Sequence, residues 1–546
     1  MFRNYLKIAW RNLWKNKVYS AINIVGLAIG LAACIVIMLF VFYEKSFDAV
    51  HTKNIYRLNE VQKFEGMVAP QNVALSMYPM GPTLVKDFPE IKTFVRSNYT
   101  EKIDFTYKDK TIFMPRVNRV DSTFFDIFDY KLIRGDRATV LDKPHSLVLT
   151  ESSAKKIFDK EDPIGKNIVV YSRDTLSLLV TGIMEDVPQN SHLQFDGLMA
   201  FSTNARPAQM MQNWGGNWLT TYLVLAPNTD IAALEKKFPA YLKRYMGNEN
   251  WKNYELFLQP LKEVHSASTD ITHDYQNFRK FDKSYTKVFT IIALIVLLIA
   301  CINFMNLSTA KSAERAREVG IRKSVGALRI QLVMQFIGES IILVLIALIL
   351  AIGIVLLALP YVRNLSQRDL QLPVISDPGL MLLIIGSAIA VGIMAGLYPA
   401  GYLSSFQPVK VLKGAVQTGK YKSSFRNFLV VLQFSGAVFL IIATVLALKQ
   451  LNFMMSKNPG FDREQVVTIP FVNGADRKYN VLKQELLKNT LISGVTACQQ
   501  GLGNNLHQSG MLYRGRNQAE RTLTSSRTIV DPDYLTVLYG DRKSVV

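Results

Sequence analysis

Five stretches of this chain are apolar for long enough to cross a hydrocarbon core: about Val18 to Tyr43, Val288 to Leu307, Ile330 to Leu359, Gly379 to Leu403 and Phe428 to Leu448. A spanning helix needs about 20 such residues. In lipid the backbone polar groups of each run must be satisfied within the run, which makes it a helix. Hydrophobic residues are 49% of the 546 and charged residues 19%, against about 25% charged in soluble domains, and the deficit lies in these runs. The sequence is therefore that of a membrane protein with an α-helical bundle of five spans. Its three cysteines, Cys34, Cys301 and Cys498, exclude a disulfide framework and a four-thiolate zinc site.

The first run has two readings. Leu31-Ala32-Ala33-Cys34 fits a lipoprotein cleavage box, but the apolar run continues past Cys34 to Tyr43. A signal sequence ends its apolar core at the cleavage site, so a retained helix is expected.

Charge sets the orientation. Residues 1–17, 306–330 and 404–426 carry net charges of +5, +4 and +5, most of the total of +20. All three fall on one side if all five helices span, and basic loops face the cytoplasm. The excess charge is then topology and attraction to lipid headgroups, and nucleic acid is not implied. The N-terminus is expected in the cytoplasm. Residues 44–287 and 449–546 are expected outside, and no cytoplasmic segment is long enough for a kinase, a cyclase or an ATPase.

Residues 44–287 alternate β-like runs with polar helical ones, an α+β pattern large enough for two subdomains. Ser146–Thr150 reads as a strand, Glu151–Phe158 as a helix, Asp162-Pro163-Ile164-Gly165 as a turn, and Leu176–Met184 and Trp218–Leu225 as strands. His51, His145, His192, His265 and His273 are scattered and read as surface and loop residues, although His265 and His273 flank Asp270 as a candidate ligand cluster. No Ser-His-Asp or paired-carboxylate spacing stands out, so the domain reads as a mechanical or binding module.

Gly414-Ala415-Val416-Gln417-Thr418-Gly419-Lys420-Tyr421 nearly matches a phosphate-binding loop. Tyr421 stands where that loop needs Ser or Thr for Mg²⁺, and the segment joins two membrane helices, not a strand and a helix. It reads as a basic linker. If the protein uses ATP, another chain must hydrolyse it.

The segment between the second and third spans, Ala310 to Ala327, is dense in charge of both signs. Glu314 and Glu318 share one helix face, and Arg317, Ile321 and Ser324 another. Gly320 permits a bend, and Gly326 suits a helix end. The pattern predicts a short helix–bend–helix that a partner's groove can hold; a solvated, positive-inside linker is the alternative.

Arg317-Glu318-Val319-Gly320-Ile321-Arg322-Lys323-Ser324-Val325-Gly326-Ala327 resembles the R-E-x-G-I-R-K-x-x-G-A signature of MacB/FtsX-type ABC transporter permeases at every fixed position. Its place after the second span fits as well. Leu149 to Ala154 with Asp162 to Lys166 resembles the periplasmic core domain of that family, and Glu185 to His192 a stretch found in its long Bacteroidetes-like members. The resemblance covers essentially residues 1–460. It implies a fold of a MacB-type extracytoplasmic core domain at 44–287, an FtsX-like permease domain at 288–403 and a coupling loop at 308–329, in a bacterial inner membrane. It further implies a separate ABC ATPase subunit, carrying ATP and Mg²⁺, docked on Arg317, Glu318, Gly320, Ile321, Arg322, Lys323, Gly326 and Ala327. These residues would serve contact and force transfer through stalk-like extensions of the first and second helices; no catalytic site is expected in this chain. A second permease half or chain, and a periplasmic adaptor, are the further partners implied.

Phe2-Arg3-Asn4-Tyr5-Leu6 recurs as Phe425-Arg426-Asn427-Phe428-Leu429, and Phe47-Asp48 has a counterpart in Phe461-Asp462. The chain thus begins a second copy of its own plan, with residues 449–546 as a partial second outer domain. The final Asp541-Arg542-Lys543-Ser544-Val545-Val546 resembles translated sequencing adapter, so a truncated reading frame joined to adapter is expected here, with a natural short chain as the alternative. Residues 2–17 read as an interfacial amphipathic helix. Gly26-x-x-x-Gly30 and Gly392-x-x-x-Gly396 are small-residue packing motifs, and Glu339 is a candidate intramembrane polar site. The competing class, a membrane receptor sensing ligands with residues 44–287, would need a cytoplasmic output domain.

Overall fold

The computed structural model describes residues 17–65, 67, 69–98, 101–171, 175–203, 207–247, 249–310, 312–372, 377–405, 420–457, 466–469, 478–499, 507–513 and 521–539. The N-terminal helix expected over 2–17, the glycines of the phosphate-loop-like segment, Phe461-Asp462 and the tail 541–546 lie outside the described residues.

Among the described residues, five helices are long and apolar enough to cross a membrane. They are α1 (Lys17–Lys45), α2 (Lys283–Ala310), α4 (Arg329–Ser366), α5 (Pro378–Ser404) and α6 (Lys420–Ser456), and a shorter α3 (Ser312–Ser324) joins α2 to α4. The end of the bundle where α1 stops and α2 starts, joined through residues 46–282, is here called outer, and the opposite end inner. Packing of α1 against α2 and α4, and of α4 against α5, builds one core around Leu27, Leu31, Ala300, Val344, Ala351, Val355 and Ala395.

Glycine makes these contacts close. A Cβ on Gly30 would stand 2.5 Å from the Cβ of Ala300, and one on Gly396 would stand 2.7 Å from Ser340 Oγ. Backbone approach of that kind takes the place of a hydrophobic drive, which lipid removes. The 38 residues of α4 make a rod of about 57 Å at about 1.5 Å per residue, longer than the roughly 30 Å hydrocarbon layer. Most of α6 is exposed; it meets α2 where Gly436 faces Ile295 and Ile299.

The second unit comprises residues 46–282 and 458–546, and residues 46–282 carry its large sheet. Its strands are β1 (Ile55–Gln62), β2 (Gln71–Val73), β3 (Ser76–Met77), β4 (Ile91–Asn98), β5 (Glu101–Tyr107), β6 (Lys110–Val120), β7 (Leu132–Arg134), β8 (Ser146–Thr150), β9 (Asn167–Tyr171), β10 (Thr175–Met184), β11 (Gly197–Ala200), β12 (Asn217–Leu225), β13 (Tyr254–Pro260) and β14 (Ile271–Thr272). Six of them close on themselves in the order β6-β5-β9-β10-β8-β11-β6, with β8–β10 and β11–β6 parallel. Closure removes the open edges of that sheet. The barrel holds Phe105, Val117, Leu147, Leu149, Ile168, Leu178 and Met199. From β6 the sheet runs on through β4, β12 and β1, over a second core of Leu58, Met77, Leu84, Leu223 and Phe238. The helix Glu151–Phe158 starts where the Thr150 hydroxyl accepts the Ser153 N–H, an N-cap worth about 1 kcal/mol.

The C-terminal residues repeat a piece of this plan. Helix Met80–Asp87, hairpin β5–β6 and helix Phe124–Ile127 have their counterparts in helix Tyr479–Leu487, hairpin β15 (His507–Tyr513)–β16 (Arg521–Arg527) and helix Tyr534–Tyr539. Ser97 pairs with Val120 while Asp121 N–H donates to the Arg96 carbonyl; Cys498 pairs with Val530 while Asp531 N–H donates to the Ala497 carbonyl.

Candidate functional site

The signature segment lies at the inner end of the bundle, on α3 and the turn after it. Ala and the charged residues favour helix, and Glu318 and Arg322 add an ion pair of 2.7 Å at i,i+4 spacing. The bend expected at Gly320 does not form: α3 runs unbroken from Ser312 to Ser324. Gly320 is buried, so packing offsets the roughly 1 kcal/mol that glycine costs a helix. The expected stop at Gly326 is present. Gly326 adopts φ +98°, its N–H donates to the Lys323 carbonyl at 3.1 Å, and the Ala327 N–H donates to the Arg322 carbonyl at 3.0 Å. That pair of bonds is a Schellman cap.

One side of α3 is fixed to the bundle. Val319 is buried with Leu332 and Phe336 of α4 and Ala400 and Leu403 of α5. The Lys323 ammonium donates to the Ser404 carbonyl at 2.6 Å, a cation at the negative end of α5. Arg322 donates through Nη1 to Gln335 Oε1, and Gln335 Nε2 donates to Glu339 Oε1 at 3.1 Å. Glu318, Arg322, Gln335 and Glu339 thus form a polar chain from the surface of α3 into α4, with Gln335 and Glu339 buried. Glu339 therefore belongs to the signature segment's own network. Sequence reading missed Gln335, although its i,i+4 spacing to Glu339 was a usable signal.

The other side of α3 is open. Ile321 is 55% exposed, Val325 83% and Leu328 62%, an apolar ridge beside the Glu318–Arg322 pair. Of Arg317 the structure describes the backbone, on α3, and not the side chain.

Three of the five histidines of the sheet domain are placed otherwise than expected: His51, His192 and His265 are buried, whereas His145 is exposed. Asp48 stands 2.9 Å from His192 Nδ1, and His192 Nε2 meets the Tyr222 hydroxyl at 2.8 Å. Burial works to raise the Asp48 carboxyl, but His192 and the hydrogen bonds from Ser191 outweigh it and hold it below its ordinary value. Burial pushes His51 down to about 4, so it stays neutral. This sealed chain ties the start of the domain, just after α1, to the Glu185–His192 stretch. The candidate trio separates: His265 stacks on Phe47, His273 Nδ1 meets the Tyr275 hydroxyl, and Asp270 accepts from Asn72. Among the described residues no three His, Cys, Asp or Glu group to hold a metal ion.

Residues 20–241 match the family model of the MacB-like periplasmic core domain, and residues 290–408 that of the FtsX-like permease C-terminal region. Between them the two cover more than half of the chain. This protein is a permease of the MacB/FtsX type. The ABC transporter permease YvrN of Bacillus subtilis is 24% identical over 422 residues, covering 75% of this permease and 99% of YvrN. The macrolide export ATP-binding/permease protein MacB of Haemophilus ducreyi is 25% identical over 313 residues, covering 56% of this chain and 41% of that one. The permease thus spans about two fifths of the MacB relative's length. Among solved structures, the periplasmic region of MacB from Actinobacillus actinomycetemcomitans covers 40% of this chain and 92% of its own at 18% identity and TM-score 0.28. The extracellular domain of the ABC-type transporter YknZ covers 37% and 100% at 16% identity and TM-score 0.28. The sheet-rich domain of this permease, by its match to the periplasmic core domain model, is extracytoplasmic.

Proposed function

We propose that this permease couples ATP hydrolysis by a separate ABC ATPase subunit to conformational work outside the membrane, such as efflux or the release of a lipoprotein or peptide. The observation that carries this reading is the two-sided build of α3. One side of α3 is fixed to α4 and α5 through Val319, Arg322 and Lys323, and the other side, with the turn after it, offers Ile321, Val325 and Leu328 beside an ion pair. An apolar ridge on a helix is what a partner's groove holds, and a ridge bonded to two long helices passes a push onward. Arg317, Glu318, Gly320, Ile321, Arg322, Lys323, Gly326 and Ala327 are the docking element on this reading. ATP and Mg²⁺ sit on the partner. A second permease half or chain completes the pair, a periplasmic adaptor is a candidate further partner, and the N-terminus faces the cytoplasm of a bacterial inner membrane.

The test is a pull-down from native membranes of wild type beside Ile321→Asp with Val325→Asp, two exposed positions whose change leaves the buried face of α3 intact. An ATP-hydrolysing subunit is expected with the wild type and not with the variant. An ATPase that follows both equally, or neither, defeats the reading.

A further inference from the structure

We infer that motion at α3 reaches the outer domain through α4 and an ion pair, Arg368–Glu44, that fastens the outer end of α4 to the outer end of α1. The inference rests on the reading just proposed and names the residues that carry its force transfer. The fixings described for α3 lead to α4 and α5: the Val319 cluster, the Arg322–Gln335–Glu339 chain and the Lys323–Ser404 bond. Of those two, α4 is the helix packed along α1. Its inner end is therefore held by the signature segment.

Its outer end is held as well. After Ser366 the chain turns back through Gln367 at φ +54°. The return strap packs Leu370 and Leu372 into the bundle core, and Arg363 Nε donates to the Leu370 carbonyl, tying the strap to α4. From this strap Arg368 Nε donates to Glu44 Oε1 at 2.6 Å, with the Glu44 side chain fully buried and Arg368 12% exposed.

Stability alone is a poor explanation for this pair. Glu44 is on the last turn of α1, where the helix dipole opposes a carboxylate. A buried ion pair of this kind is often no better than an apolar pair of the same volume. What the pair does supply is a directed joint. Glu44 lies two residues before Ser46, where the outer unit begins, so a shift of α4 acts through Arg368 on the part of α1 that continues into that unit. Arg368 and Glu44 are positioning residues in this scheme.

The experiment uses the full permease with its co-purified ATPase in lipid nanodiscs, with Cys498→Ser and spin labels at Tyr361→Cys, an exposed site on α4, and Tyr171→Cys, an exposed site on β9. The distance between labels is read with and without ATP in wild type, Glu44→Gln, Arg368→Gln and the swap Glu44→Arg with Arg368→Glu. The expected result is that both neutral variants keep the ATPase and hydrolyse ATP as wild type does but lose the ATP-dependent change in distance, and that the swap recovers it. A neutral variant that hydrolyses ATP and keeps the full change overturns the inference while leaving the proposed function intact. A wild type with no ATPase overturns the proposed function, and the inference with it. Elution of each variant as a single species separates loss of coupling from loss of fold; if the neutral variants do not fold, a swap that folds and hydrolyses ATP without the distance change also overturns the inference.

Discussion

Among the described residues, the buried carboxylates of the membrane bundle are Glu339, in the third turn of α4, and Glu44, in the last turn of α1. In the sheet domain buried charge runs through the interior. Arg57 is wholly buried and bonded to Asp274, Gln259 and Ser268; Arg96 holds Asp121 at 2.8 Å; Asp48 holds His192. Glu60 is buried beside Gln62 and Asn217. The difference follows from the solvent. A helix in lipid satisfies its own backbone, so a charge there adds only cost unless it is used. A mixed sheet must select one register among many, and a buried polar network penalises the wrong ones. On the proposed reading, charge marks transmission in one unit and specifies the fold in the other.

The strongest way to break this contrast is Arg57→Met. It leaves Asp274 buried without its guanidinium, and removing one partner of such a pair costs about 3–5 kcal/mol. Chemical unfolding of the sheet domain within the full chain should show that loss, with the bundle still inserted. A change below about 1 kcal/mol, the size of an exposed pair, would mean that the network is not specifying the fold.

Glu60 sharpens the contrast through pH. Burial lifts its carboxyl to about 8, so the folded state keeps the proton where the unfolded chain, near the usual value of about 4.3, has lost it. The sign is that of a raised acid: the contribution is fully present below the unfolded value and is lost as pH rises through about 8. Stability of the domain should fall across that window by up to about 1.4 kcal/mol per pH unit. Glu60→Gln should flatten the slope, which urea titrations at pH 5 and pH 8 would read; an equal slope in the variant would show that another group titrates.

What the sequence made legible differs between the units for the same reason. The five spans, the Gly26/Gly30 and Gly392/Gly396 contacts and the Gly326 stop are local or periodic features, and periodicity finds them. Ser146–Thr150 and the helix after it were equally legible, because a short apolar run, a threonine and a helical pattern follow one another within 13 residues. Closure of the barrel by β6 and β11 was not, since nothing local announces a parallel pair of Val117 with Gly197. The buried histidines were misread because burial depends on Phe47, Tyr222 and Asp48, which arrive from elsewhere in the chain. Arg368 carries no local signal, because its partner lies 324 positions away.

Glycine contacts offer a smaller test inside the bundle. Gly30→Val drives a side chain into Ala300, and Gly396→Val drives one into Ser340, at approaches of 2.5 and 2.7 Å for the first added carbon. Overpacking of this kind costs about 1–3 kcal/mol. The thermal midpoint of the detergent-solubilised bundle should drop while unfolding of the sheet domain keeps its midpoint. A shared drop would mean that the two units melt as one.

The smallest expected effect lies at the cap of α3. Gly326→Ala meets no neighbouring atom within 4 Å, yet it must adopt φ +98°, which costs an L-residue about 1 kcal/mol. The cost falls on the turn that holds the Ala327 N–H to the Arg322 carbonyl, and so on the setting of Val325 and Leu328 relative to Arg322. Because Val319 still anchors the helix, the bundle should keep its stability while the co-purifying ATPase dissociates several times faster, about tenfold for each 1.4 kcal/mol of misalignment carried into the complex. Dissociation kinetics on immobilised permease read this directly. Equal off-rates would reduce the docking ridge to Ile321 on α3 and free the turn at Gly326, with Val325 and Leu328, from any part in it.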